Sequence, residues 1–91
     1  LLLKNEYFRI YALAKPDPVP RLGLAVTVKL GKAVVRNRLK RHIREWFRAY
    51  KDKFSGFDLI VQPKPPAATL DHRELLKSLC ELLAQLKPAD D

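Results

Sequence analysis

Little in this sequence is equipped to make or break bonds. One cysteine and two histidines occur in 91 residues. A lone thiol excludes an internal disulfide framework, and Cys80, set among Leu75, Leu76, Leu79, Leu82 and Leu83, reads as a small buried hydrophobe. His42 and His72 are thirty residues apart, and no Cys/His/Asp cluster shows metal-ligand spacing. His42 is expected to pack at the border of a helix's apolar face, and Asp71-His72-Arg73-Glu74 reads as a helix start. No GxxxxGK[ST] or GxSxG motif is present. Gly31-Lys32 before a helix could hold a single phosphate, which is weak evidence alone. No catalytic residue and no protein metal ligand is therefore expected. No apolar run approaches the roughly 18 residues of a membrane span. Leu1-Leu2-Leu3 is too short for a signal-peptide core. A reducing, cytoplasmic setting without a membrane partner is expected.

Positive charge is abundant, and it is concentrated. From Lys29 to Lys53 ten Lys/Arg face two acids, Glu45 and Asp52, a net of +8 in 25 residues; the remaining residues balance to zero. Read as a helix at about 100° per residue, Val35, Leu39, Ile43, Trp46, Phe47 and Tyr50 share an apolar arc. Arg36, Lys40, Arg41, Arg44, Arg48 and Lys51 fall on the adjoining arc with Asn37, while Arg38 lies on the far side beside Glu45. A solvated helix face usually intersperses Glu and Lys at i, i+4. Here Arg36, Lys40, Arg44 and Arg48 form a like-charge ladder that costs helix stability unless a polyanion answers it.

The remaining patterns place that helix in a small domain. Asn5 to Ala14 alternates with the aromatic and β-branched residues that strands favour. Lys15-Pro-Asp-Pro-Val-Pro ends this strand, because proline cannot donate to a ladder. Arg21 to Val28 predicts a second strand with Leu22, Leu24, Val26 and Val28 on one side. The short connection favours antiparallel pairing of these two strands. Gly31 breaks the strand, and the basic helix begins at Lys32 or Ala33 and ends between Lys53 and Gly56. Phe57 to Gln62 reads as a third strand, closed by Pro63, Pro65 and Pro66. Asp71 with Glu74 opens a last helix by a capping box; it runs to about Leu86, and Pro88 forbids its continuation. The order β-β-α-β-α predicts an α+β fold, one two-layer domain over residues 1–91 with helices packed on a small sheet.

Several polyanions could meet the stripe. A membrane surface suits a basic amphipathic helix, but the Trp46 face has strands to cover. Helix-turn-helix docking on DNA is unsupported, since no short helix and turn precede the stripe. Arg offers bidentate contacts to phosphates, and A-form RNA would be met at phosphates and 2′-hydroxyls. Nucleic-acid binding, with RNA preferred, is where the residues alone lead.

The string from Gly31 to Arg48, Gly-Lys-Ala-Val-Val-Arg-Asn-Arg-Leu-Lys-Arg-His-Ile-Arg-Glu-Trp-Phe-Arg, closely resembles the RNR signature of the protein subunit of bacterial ribonuclease P. Arg21-Leu-Gly-Leu-Ala-Val-Thr-Val-Lys-Leu-Gly resembles the strand leading into that helix. Phe57 to Pro65 and Asn5 to Tyr11 are similar to the family's other strands, so the resemblance spans roughly Asn5 to Leu86. It implies a mixed sheet with a left-handed β-α-β crossover, against the usual right-handed rule. It also implies binding to a catalytic RNA that removes the 5′ leader of precursor tRNA with Mg2+, one protein per RNA.

By that resemblance Arg36, Asn37, Arg38, Lys40, Arg41 and Arg44 face the catalytic RNA, joined by Arg48, Lys32 and Lys29. Asn37 has an alternative role, a local hydrogen bond at the helix start. Arg38 has another, anchorage to Glu45 or the sheet edge. Tyr11 matches a sheet aromatic of the family's leader cleft, Arg9 shares its strand face, and Lys64 extends the cleft's basic rim. Val28 falls where many relatives have a basic residue, while Lys29 keeps one. The chain begins almost at the first strand, so it is expected to lack the family's N-terminal arm and helix. A ribosomal or RNA-chaperone protein, and a DNA-binding module, are the competing readings.

Overall fold

A computed structural model describes residues 1–86. Four strands form one sheet, β1 (Leu2–Lys4), β2 (Phe8–Ala14), β3 (Arg21–Leu24) and β4 (Phe57–Pro63), with two helices, α1 (Ala33–Ala49) and α2 (His72–Leu83). Short 3-10 turns at Val28–Leu30, Lys51–Phe54 and Pro65–Thr69 join them. The strand order is β1-β2-β4-β3, with β2 antiparallel to β1 and β4, and β3 parallel to β4. The fold is thus the mixed-sheet α+β class expected from the sequence.

The expected pairing of the first two long strands is wrong in one respect. The proline connection does reverse the chain, but β4 inserts between β2 and β3 and pairs with both. Six residues, 15 to 20, reach easily across the two strand spacings, roughly 10 Å, that this requires. β2 and β4 are the two interior strands; Leu59 and Val61 of β4 are buried in the core while Ile60 points to the open face. Lys15 N donates to the Gly56 carbonyl at 2.9 Å, and Gly56 N to the Pro18 carbonyl at 3.3 Å, which seats the connection on the turn into β4. Gly56 has φ 86°, a conformation that favours glycine there.

Three boundaries differ from expectation. Leu2–Lys4 is a separate strand ahead of the one expected from Asn5: Leu3 pairs with Ile10 and is buried. β3 stops at Leu24, so Val28 stands in a 3-10 turn, 75 % exposed, off the strand face assigned to it. α1 stops at Ala49, which leaves Tyr50 exposed beyond the apolar face. The chain there turns so that Phe54 folds back against the helix, its ring 5.1 Å from Trp46 and stacked 5.3 Å from Phe47. Burying Phe54 is worth more than continuing a helix of mostly charged residues.

One side of the sheet carries the core. Phe8, Ile10, Leu59 and Val61 meet Leu39, Ile43 and Trp46 of α1 and Leu75, Leu79 and Leu82 of α2, all buried. Asp71 caps α2 in the expected box: its Oδ1 accepts from Glu74 N at 2.8 Å, and Glu74 Oε1 accepts from Asp71 N at 3.1 Å. The helix ends at Leu83, sooner than Leu86, while Pro88 lies outside the described residues. Asn5 ties the β1–β2 turn to α2. Its Oδ1 accepts from Tyr7 N and Phe8 N, and its Nδ2 donates to the carbonyl and hydroxyl of buried Ser78.

Candidate nucleic-acid interface

The core fixes α1 by Leu39, Ile43 and Trp46, so the arc beginning at Arg36 must face outward. Arg36, Lys40, Arg44 and Arg48 ascend it one turn apart, with Asn37 and Arg41 alongside and Lys32 at the N-cap; all of these are exposed or half-buried. No acid lies in the first turn of α1, and no side chain caps it. Among the described residues the ion pairs join Asp58 to Lys15 and Arg21, neither of them in the stripe, and none engages a stripe cation. Arg36 Nε donates to the Gly31 carbonyl at 3.2 Å, which steadies the side chain nearest the helix start. Asn37 is exposed and makes no side-chain hydrogen bond among the described residues, so a local role for it at the helix start is not what the structure contains. Arg38 is different. Its Nη2 donates to the Ala68 carbonyl at 3.0 Å, tying α1 to the turn before α2 in place of the expected Glu45 or sheet-edge anchor.

A second basic surface is built by strand pairing. The uncovered face of the sheet carries cross-strand rows: Lys4, Arg9 and Gln62, then Leu2, Tyr11, Ile60 and Gly23. Tyr11 is 38 % exposed there. Beside Arg9 opens a cleft of about 460 Å³ lined by Arg9, Lys29, Gln62 and Lys64 with Glu6 and Thr27. Lys64 Nζ donates to the Asn5 carbonyl, which holds its ammonium at the rim. Lys29, expected with the helix stripe, therefore belongs with Arg9 and Lys64. Tyr11 sits two residues along β2 from Arg9, about 7 Å away on the same face.

The histidines also come together, which their separation in sequence concealed. His42 Nδ1 lies 2.8 Å from His72 Nδ1, with ring centroids 4.4 Å apart. Ligand atoms of His42, Glu45 and His72 all fall within 4.8 Å of one another. No metal-ligand spacing is visible along the sequence, but the fold brings these three groups together: α1 supplies two at i, i+3 and the capped start of α2 the third. Burial, then the neighbouring His72 and Arg41, hold His42 below the ordinary histidine range. This imidazole-rich set does not suit Mg2+, which favours oxygen ligands and retains its waters, so no Mg2+ chemistry is assigned to protein ligands.

The sequence profile of the family described as Ribonuclease P matches residues 2–87. The chain belongs to the ribonuclease P protein family. It is similar to the ribonuclease P protein component of Geobacillus kaustophilus, 46% identical over 81 residues that cover 87% of this chain and 67% of that protein. The component from Bacillus cereus is 44% identical over 77 residues, 82% of this chain and 67% of that one. Among solved structures, the Staphylococcus aureus RNase P protein superposes with a TM-score of 0.89 at 34% identity, covering 96% of this chain and 81% of that chain. The Thermotoga maritima RNase P protein, in complex with 1-(4-fluorophenyl)-2-thiourea, gives 0.88 at 35% identity, covering 96% and 86%. As a ribonuclease P protein component, this chain is a subunit of the endoribonuclease that matures tRNA 5′ ends. The ribosomal, chaperone and DNA-binding alternatives give way to that assignment.

Proposed function

We propose that α1 docks the chain on the ribonuclease P catalytic RNA through Arg36, Asn37, Lys40, Arg41, Arg44 and Arg48, with Lys32 at the helix start. The observation that carries this reading is the uncompensated stripe, held outward by a core-facing row on the same helix. Guanidinium and ammonium groups meet phosphate oxygens by charge-assisted hydrogen bonds, and their like-charge repulsion is relieved when the RNA arrives. Arg38 supports this surface from behind through Ala68 and positions the helix. The open sheet face takes the single-stranded 5′ leader of precursor tRNA. Arg9, Lys29 and Lys64 neutralise its phosphates in the cleft, and a base stacks on Tyr11. The RNA supplies the reaction with its Mg2+ ions. The protein side chains bind and orient, one protein per RNA, in the cytoplasm, and the whole chain acts as one domain.

The test is multiple-turnover cleavage of labelled precursor tRNA by a bacterial ribonuclease P RNA at low magnesium, with and without the chain. Stimulated cleavage at the mature 5′ end, lost when Lys40 and Arg44 are reversed to Glu, is the expected result. RNA binding that leaves cleavage unchanged would overturn the leader assignment, and undiminished RNA affinity in the reversed variant would overturn the stripe.

A further inference from the structure

We propose that His42, Glu45 and His72 form a binding site for a borderline transition-metal ion, Zn2+ by preference, that staples α1 to α2. The ligand chemistry fits: imidazole nitrogen and carboxylate oxygen are standard Zn2+ donors, and three protein ligands leave a position for water. The geometry is close to ready. Tetrahedral Zn–N bonds of about 2.0–2.1 Å place ligand nitrogens about 3.3 Å apart. The two Nδ1 atoms stand at 2.8 Å, and the three ligand atoms lie within 4.8 Å. Metal entry needs the histidine pair to part by about half an ångström and the Glu45 carboxylate to swing inward. Glu45 and His72 also line a cleft of about 220 Å³ with Trp46, Ala49, Tyr50 and Leu76, which leaves room for water on the ion.

The surroundings hold the ligands in place. His42 and Glu45 lie one turn apart on a helix anchored in the core. His72 is the first residue of α2, fixed by the Asp71–Glu74 capping box. Arg38, one turn before His42, grips the Ala68 carbonyl in the turn that leads into that box. The carboxylate of Glu45 offsets the repulsion that Arg38 and Arg41 exert on an incoming cation. By the helical repeat His42 sits about 160° around α1 from Arg44, the middle of the stripe, so the ion joins the helices without occupying the RNA-facing arc. Zn2+, Ni2+ and Cu2+ rank above Mg2+ for such ligands. The proposal stands independently of the RNA reading.

The deciding experiment strips the chain with a chelator and titrates it with Zn2+ alone by calorimetry and with Co2+ alone by visible absorption, at neutral pH. Saturable uptake of one ion per chain, Co2+ bands of nitrogen-and-oxygen coordination and no competition from millimolar Mg2+ are expected. His72→Ala, an exposed position, should weaken uptake at least about tenfold while the far-UV circular dichroism stays unchanged. Glu45→Gln, also exposed, should weaken it less. Zn2+ should raise the melting temperature of the unmodified chain and not of His72→Ala. Undiminished uptake by His72→Ala, or no saturable binding up to about 100 µM Zn2+, would falsify the site.

Discussion

The basic face of α1 and the open face of the sheet both carry cations at the surface, but they are made in opposite ways. The stripe is written in consecutive turns of a single helix, so its members stay together whatever the helix packs against. The sheet face is assembled from β1, β2, β4 and the segments flanking them. Arg9, Lys29 and Lys64 meet only because β4 lies between β2 and β3. A surface made by one helix can be weakened charge by charge. A surface made by strand order depends on the core beneath it, and substitutions should separate the two behaviours.

The largest effect is expected at Trp46, 1 % exposed and in ring contact with Phe54. Trp46→Ala should cost about 3–5 kcal/mol, much of the roughly 5–15 kcal/mol that holds a small domain together. Both surfaces should then fail together, read as a collapse of the denaturant midpoint. Near-native stability in this variant would mean that the packing of α1 on the sheet is misjudged. Reversing Lys40 and Arg44 to Glu tests the opposite property. RNA affinity should fall about a hundredfold or more, since each charge-assisted contact contributes roughly 1.5–3 kcal/mol. The slope of log K against log salt should flatten by about 2, near 0.9 per phosphate lost. The denaturant midpoint should hold or rise, because two of the three like-charge i, i+4 pairs of the ladder, 36/40 and 44/48, become opposite in sign while 40/44 stays like-charged.

What the sequence revealed follows the same division. The stripe, the burial of Leu39, Ile43 and Trp46, and the Asp71–Glu74 box are all local patterns, readable from periodicity and spacing. The order of strands was not, because a short proline linker reports a chain reversal and says nothing of what fills the gap. Lys29 is near α1 in sequence and near Arg9 only in space. The role of Phe54 depends on α1 stopping at Ala49, a choice made by a tertiary aromatic contact over helix propensity. The meeting of His42 with His72 is likewise a product of helix packing. The string at Arg36-Asn37-Arg38, by contrast, is a local signature that needs no geometry to be read.

At the sheet face the expected effects are smaller and more selective. Tyr11→Ala removes a stacking surface worth roughly 1–3 kcal/mol per base. Affinity should therefore drop about five- to 150-fold for precursor tRNA carrying a leader, and not at all for mature tRNA. Tyr11→Phe should restore it, since stacking needs the ring and not the hydroxyl. An equal loss for both RNAs would show that Tyr11 supports the sheet and not the leader. Its exposed position beside Ile60 makes a large stability change unexpected.

The smallest effect should come from Asp58, where β4 meets the start of β3. Arg21 donates to its carboxylate through Nε and Nη2, the latter at 2.7 Å, and Lys15 Nζ approaches at 2.7 Å. Hydrogen bonds from Arg21, then from Lys15, hold the Asp58 carboxyl well below the usual carboxylate range. A carboxylate with a depressed folded pKa stabilises the fold fully above its unfolded value, about 3.9. That contribution is lost as pH falls from there toward the folded pKa. Asp58→Asn should thus be modestly less stable than the unmodified chain at pH 7, and the gap should narrow progressively as pH falls below about 4. Added salt should narrow it at neutral pH as well, because the group lies at the surface. A gap that persists unchanged at pH 2 would mean that Asp58 acts through packing at the strand edge and not through its charge.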